Sequence, residues 1–181
     1  LTPPMGWNSW NCWARDVTQE QILSSARAMV EKGLADHGWS YINIDDGWQG
    51  RRGGRYNAIQ PNKKFPDMAA LTREIHDMGL RVGIYSTPWI GTYAAHIGSY
   101  SDRPDGENEW IEKGLHNENY RYQKPGGNYW EDRCEVWHHG PYSFVEADVK
   151  QWAEWGIDYL KYDWHPLNYY HVREMFDMLR K

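Results

Sequence analysis

Two adjacent carboxylates, Asp45-Asp46, close the short apolar run Tyr41-Ile42-Asn43-Ile44. Like charges this close repel unless each meets hydroxyl or cationic donors, and a polyol ligand is rich in such donors. A structural reading competes: Asp46 caps a turn into Gly47 while Asp45 pairs with an arginine. A further carboxylate, Asp163, ends the run Ile157-Asp158-Tyr159-Leu160-Lys161-Tyr162. Strand residues two apart share a face, so Lys161 and Asp163 point the same way and the ammonium would keep the carboxylate ionised. Such a carboxylate suits a nucleophile attacking an anomeric carbon, and the lysine could also bind a substrate hydroxyl. An ordinary ion pair fits the same spacing.

Trp7 and Trp10 flank the exit of a first short strand, where one ring could wall a pocket, and Tyr85 holds the matching place further along; a core role suits these rings equally. His138-His139 project to opposite sides of the backbone, and no other His, Asp or Glu stands four residues away on a helix to complete a metal pair. No catalytic metal and no cofactor are expected. Neither a G-x-S-x-G elbow nor a catalytic cysteine context occurs, which argues against acyl transfer.

The elements that must position these residues recur as an amphipathic stretch, a glycine, then a short apolar run. Thr18 to Lys32 reads as a helix: Thr18 and Gln21 stand in capping-box spacing, Ile22, Ala26, Met29 and Val30 share a face, and Gly33 is the stop. The strand Tyr41 to Asp45 follows. Asp67 can cap a second helix carrying Leu71, Ile75 and Met78 before Gly79, with Arg81 to Tyr85 the next strand. The third copy is Glu146 to Trp155, Gly156, then Ile157 to Asp163. A last amphipathic stretch carries Tyr169, Val172, Met175, Phe176 and Leu179. With Met5 to Ser9 as first strand, the chain holds four βα units and a parallel sheet.

Strand starts fall near residues 5, 41, 81 and 157, so the last step is about twice the others and one insertion, residues 91–147, accounts for the excess. Its glycines, tyrosines and asparagines show little periodicity, which predicts a long loop on the strand C-terminal side, commonly a binding wall. Four units fit a small doubly wound sheet or half of a (β/α)8 barrel. A dinucleotide fold wants G-x-G-x-x-G after its first strand, where Gly6-Trp7-Asn8-Ser9-Trp10-Asn11 stands instead. Carboxylates and aromatics at strand ends match the barrel, so residues 1–181 are expected to form its N-terminal half.

Composition narrows the partners. The 181 residues carry 20 Lys+Arg against 25 Asp+Glu, a formal net charge of −5, without the basic footprint that phosphate backbones demand, so nucleic acid is not an expected partner. No apolar run approaches the roughly 20 residues that cross a bilayer, so no membrane partner is expected either. The opening Leu1-Thr2-Pro3-Pro4 reads as neither a signal peptide nor an initiator, and the beginning is expected to be cut. Cys12 and Cys134 are too few for a disulfide scaffold and leave open whether they are bridged. Against only 3 Phe stand 12 Trp and 13 Tyr, rings with a polar handle of the kind that stack on flat sugar faces.

Pro4-Met5-Gly6-Trp7-Asn8-Ser9-Trp10-Asn11, Ile44-Asp45-Asp46-Gly47-Trp48, Gly83-Ile84-Tyr85 and Leu160-Lys161-Tyr162-Asp163 together resemble glycoside hydrolase family 27, the melibiase or α-galactosidase family. The four motifs stand in the family's order, each at a strand end, and run through nearly the whole chain while covering about half of that family's catalytic barrel. The resemblance implies a (β/α)8 TIM-barrel glycosidase, with a retaining double displacement in which Asp163 is the nucleophile and Lys161 assists it. It further implies that Asp45 and Asp46 accept hydrogen bonds from the sugar's 4- and 6-hydroxyls, that Trp10 walls that subsite, and that Tyr85 stands nearby. The family's general acid follows a later strand, so the carbohydrate substrate is joined as a partner by the remaining, C-terminal half of the barrel.

Two departures accompany the resemblance. Where family members often carry cysteines, after the aspartate pair and just after the nucleophile, this sequence has Gly47 and Trp164-His165, so the matching disulfide cannot form. Ser86-Thr87-Pro88-Trp89 and the insertion also differ from the plain pattern. The family includes enzymes for α-N-acetylgalactosaminides, β-L-arabinopyranosides and some α-glucans, which are the alternatives to galactose, as is a sugar-binding half barrel without turnover. Its polysaccharide-degrading members are commonly exported, which leads to the expectation of a secreted or periplasmic protein.

Overall fold

The computed structural model describes residues 3–107, 139–163 and 169–181. His138, Cys134 and Trp164-His165, all singled out in the sequence, lie outside these residues, as does the middle of the insertion. The strands are β1 (Gly6–Asn8), β2 (Tyr41–Ile44), β3 (Gln49–Gly53), β4 (Ala58–Pro61), β5 (Arg81–Ser86), β6 (Tyr100–Ser101), β7 (Tyr142–Ser143) and β8 (Tyr159–Tyr162). The helices are α1 (Trp10–Trp13), α2 (Gln19–Glu31), α3 (Met68–Asp77), α4 (Val145–Trp155) and α5 (Tyr169–Leu179). Among the described residues no helix is long and apolar enough to cross a membrane.

The chain divides into two compact units. The first comprises Leu1–Trp48, Pro61–Tyr85 and Trp152–Lys161. It is organised by a sheet in the order β1-β2-β5-β8, in which β1 runs parallel to β2 and β2 parallel to β5. The register sets Asn8 beside Asn43, and Asn43 beside Gly83. A methyl group on Gly83 would lie 1.9 Å from the Asn43 side-chain oxygen, so any larger residue there would have to displace the Asn43 side chain.

Helix α2 starts as its sequence predicts: the Thr18 hydroxyl accepts from the Gln21 amide, and the Gln21 side chain accepts from the Thr18 amide. Such a cap is worth about 1 kcal/mol. Asp67 caps α3 by accepting from the Ala70 amide at 2.8 Å. Ile22, Ala26, Met29, Leu71 and Ile75 are buried with Ile42, Ile44, Val82 and Ile84 of the sheet, each of these side chains except that of Ala26 contributing roughly 1.5–3 kcal/mol. Val30, expected on the inward face, is exposed, because it lies one residue beyond Met29 and about 100° further round the helix.

The second unit comprises Gln49–Gln60, Ser86–Gln151 and Tyr162–Lys181. It contains two elements absent from the sequence reading, the pair β3-β4 and the antiparallel pair β6-β7, with Tyr100 beside Ser143 and Ser101 beside Tyr142. The insertion is therefore not plain loop at its two ends. A buried ion pair anchors this unit: Arg52 meets Asp148 at 2.7 Å, donates to the Gly98 carbonyl, and lies over the Phe144 ring. Asp148 also accepts from the Ile59 amide. In α5 the expected apolar face is only partly inward, with Met175 buried while Tyr169, Phe176 and Leu179 are exposed.

Candidate active site

In the first unit the Asp45-Asp46 pair follows directly on β2, and both residues are buried, at 2% and 1% exposure. Asp45 is held from three directions. Its Oδ2 accepts from Asn8 Nδ2 at 2.7 Å and from Lys161 Nζ at 2.8 Å, and its Oδ1 accepts from the Asp46 amide at 2.8 Å. Its own amide donates to Ser9 Oγ at 2.9 Å. The cation beside Asp45 is thus a lysine rather than the arginine of the structural alternative, and it comes from the far end of the chain.

Lys161 is the exposed member of the pair, with its side chain 41% accessible against 2% for Asp45. Its ammonium lies 5.1 Å from the centroid of the buried Tyr85 ring, a cation–π distance. Tyr85 is fixed at its backbone, where the carbonyl accepts from Trp48 Nε1 at 2.9 Å. Trp10 is half-buried at the start of α1, and its amide donates to Asn8 Oδ1 at 2.9 Å. Trp7 lies within β1 rather than at its exit.

Gly47 lets the chain turn out of the aspartate pair: its φ is +122°, and a Cβ there would meet the Arg15 carbonyl oxygen at 2.6 Å. Beside this turn Lys64 donates to the Arg15 carbonyl. Burial pushes the Lys64 ammonium below its ordinary pKa, against the pull of Asp16 and Asp46.

Asp163 belongs to the second unit. It directly follows β8, is partly exposed, and is held at its backbone, where its amide donates to the Ser86 carbonyl at 3.0 Å. His139, in the same unit, hydrogen-bonds through Nδ1 to the Pro88 carbonyl and stacks on His171 with ring centroids 3.9 Å apart. Cys12 is an exposed free thiol.

The structure therefore gathers Asp45, Asp46, Lys161, Tyr85 and Trp10 at the strand ends of one unit. Asn8 and Ser9, which hold Asp45, were not among the candidates, although both lie in the first quoted motif. Their signal is positional: the parallel register puts the end of β1 level with the end of β2.

Parallel strands whose ends carry carboxylates, a lysine and aromatic rings place the chain in the α/β class. Residues 2–116 match the family described as alpha galactosidase A. The probable alpha-galactosidase B of Neosartorya fischeri is 34% identical over 89% of this chain, which covers 28% of that protein. Alpha-galactosidase I of Mortierella vinacea, solved as a crystal structure, superposes with a TM-score of 0.70 at 29% identity, over 99% of this chain and 37% of its own. The alpha-galactosidase of Saccharomyces cerevisiae solved with raffinose gives a TM-score of 0.70 at 25% identity, covering 99% of this chain and 32% of that one. The chain belongs to the α-galactosidase, or melibiase, family, glycoside hydrolase family 27. Its fold is that of the N-terminal part of this family's TIM barrel, and it spans about a third or less of the length of the curated relatives it matches.

Proposed function

We propose that this chain supplies the sugar-reading and nucleophilic part of a retaining exo-acting glycoside hydrolase that removes terminal α-linked galactose from oligo- or polysaccharides. The observation that carries the reading is the Asp45 carboxylate, buried beside Asp46 and held by Lys161 and Asn8. A buried ionised group persists only where donors compensate its lost hydration, and the hydroxyls of a sugar are donors of that kind. Family membership, and the raffinose bound to the yeast relative, support galactose as the sugar.

In this reading Asp45 and Asp46 accept hydrogen bonds from the 4- and 6-hydroxyls of galactose, Trp10 walls the subsite and Tyr85 backs it. Asp163 attacks the anomeric carbon, forming a C–O bond to its carboxylate as the glycosidic C–O bond breaks. The leaving oxygen takes a proton from a second carboxyl, which a retaining geometry needs about 5–5.5 Å away and which the resemblance assigns to a later strand of the barrel. Water then attacks the anomeric carbon, giving its proton to that second carboxyl as the bond to Asp163 breaks, and the sugar leaves with its original configuration.

The test is Asp163→Asn in the full-length protein that carries this chain, assayed on an aryl α-galactoside. Turnover should fall by at least three orders of magnitude, and a galactose-configured fluoro-sugar should leave a single-sugar adduct on Asp163 of the parent. Turnover within tenfold of the parent, or an adduct elsewhere, overturns the assignment.

A further inference from the structure

Asn8, the last residue of β1, uses both ends of its side-chain amide. Nδ2 donates to Asp45 Oδ2 at 2.7 Å, and Oδ1 accepts from the Trp10 backbone amide at 2.9 Å. The chemistry fixes which end is which, because a carboxylate can only accept here and a backbone N–H can only donate. The amide therefore cannot flip without losing both bonds.

The consequence falls on Asp45. An ionised carboxylate offers about four acceptor sites. Asn8 and Lys161 take both of those on Oδ2, and the Asp46 amide takes one on Oδ1. Among the described residues this leaves a single acceptor direction, on Oδ1. Rotation of the carboxylate would break the bonds to Asn8 and Lys161 together. Of those two holds, the lysine is the softer, a long side chain that is 41% exposed. The short Asn8 side chain is tied to backbone at its other end, so it sets the angle.

We infer that Asn8 is a positioning residue for sugar recognition, a strut that aims the one open lone pair of Asp45 and keeps that carboxylate in register with Trp10. Asn8 acts through Asp45 and touches no sugar itself. The inference rests on the proposed role of Asp45 in binding a sugar hydroxyl and adds the residue that determines how selectively the hydroxyl is read.

The experiment compares the full-length parent, Asn8→Ala and Asn8→Ser on an aryl α-galactoside and on its 4-deoxy and 6-deoxy analogues. The parent should prefer the complete sugar over at least one analogue. Asn8→Ala should raise KM for the complete sugar roughly ten- to hundredfold, the range for a hydrogen bond to a charged group. For the analogue lacking the hydroxyl that Asp45 reads, KM should change little, so the preference collapses. Asn8→Ser keeps a hydroxyl acceptor for the Trp10 amide two residues on, is too short to donate to Asp45, and adds no charge beside the aspartate pair. It should therefore fold and still lose the same preference, which a purely structural role would not produce. An equal loss on all three substrates, or a parent-like preference in both variants, overturns the proposal alone. A parent that treats the three sugars alike overturns the sugar-site reading, and the proposal with it.

Discussion

Lys161 Nζ lies 2.8 Å from Asp45 Oδ2, joining residues 116 positions apart in the sequence. This contact ties the last strand of the first unit to the exit of its second strand. Replacing Lys161 by Met strips one of three donors from a carboxylate that is 2% exposed. Because the ammonium end is partly solvated, the expected loss is about 1–2 kcal/mol, below that of a fully buried charged hydrogen bond. Urea denaturation should show a lower midpoint with an unchanged slope; an unchanged midpoint would mean that the pair contributes nothing to stability.

The Arg52–Asp148 pair should cost more to break. Both side chains are almost wholly buried, at 2% and 0%, and two guanidinium nitrogens face the carboxylate. Arg52→Met leaves a buried, under-compensated charge and should destabilise by about 3–5 kcal/mol. Removing the Asp148 charge as well, in Arg52→Met/Asp148→Leu, should recover part of that loss. Recovery stays incomplete because the Ile59 amide then lacks its acceptor. A double variant no more stable than the single one contradicts this account.

Gly47→Ala tests the turn behind the aspartate pair. The added methyl would press on the Arg15 carbonyl oxygen at 2.6 Å and Cα at 2.9 Å, in a backbone conformation that L residues rarely adopt. These are backbone atoms that cannot rotate away, so a cost of about 1–3 kcal/mol is expected. Thermal unfolding should fall by several degrees, and an unshifted transition would show that the turn relaxes freely.

His171 gives the second unit a pH dependence. Burial, and then the neighbouring His139, hold its pKa below the ordinary 6.5, while Glu174 pulls the other way. The His171 ring also meets Tyr100 and Tyr170 edge-on. With the folded value below the unfolded one, the unfolded chain binds more protons between the two. Stability is therefore complete above about pH 6.5 and declines as pH falls through the folded value. Denaturation midpoints at pH 7.5 and 5.5 should differ in the parent, and the difference should shrink in His171→Phe. An equal difference in both proteins assigns the slope to other groups.

Much of the scaffold was legible because its causes are local. The Thr18–Gln21 box, the Asp67 cap and the stops at Gly33, Gly79 and Gly156 act within a turn of the chain, and α2, α3 and α4 appear where their spacing predicts. The β3-β4 and β6-β7 pairs were not legible. Gln49-Gly50-Arg51-Arg52-Gly53 has no apolar alternation, and Tyr100 meets Ser143 only after a long excursion of the chain. Nor does spacing place α5: its apolar positions are regular, yet only Met175 among the residues singled out is buried.

By itself the sequence determined the helices, the short parallel strands and the chemical character of their ends, because caps, periodicity and strand alternation depend on neighbours within a few residues. The tertiary structure decided which group faces which. Local spacing coupled Lys161 to Asp163, two residues away; the fold shows Lys161 donating to Asp45 and sets Asn8 and Ser9 around the same residue. That outcome follows from strand register, a non-local property: shifting β1 or β8 by one residue would turn Asn8 or Lys161 to the opposite face of the sheet and take that donor from the buried carboxylate.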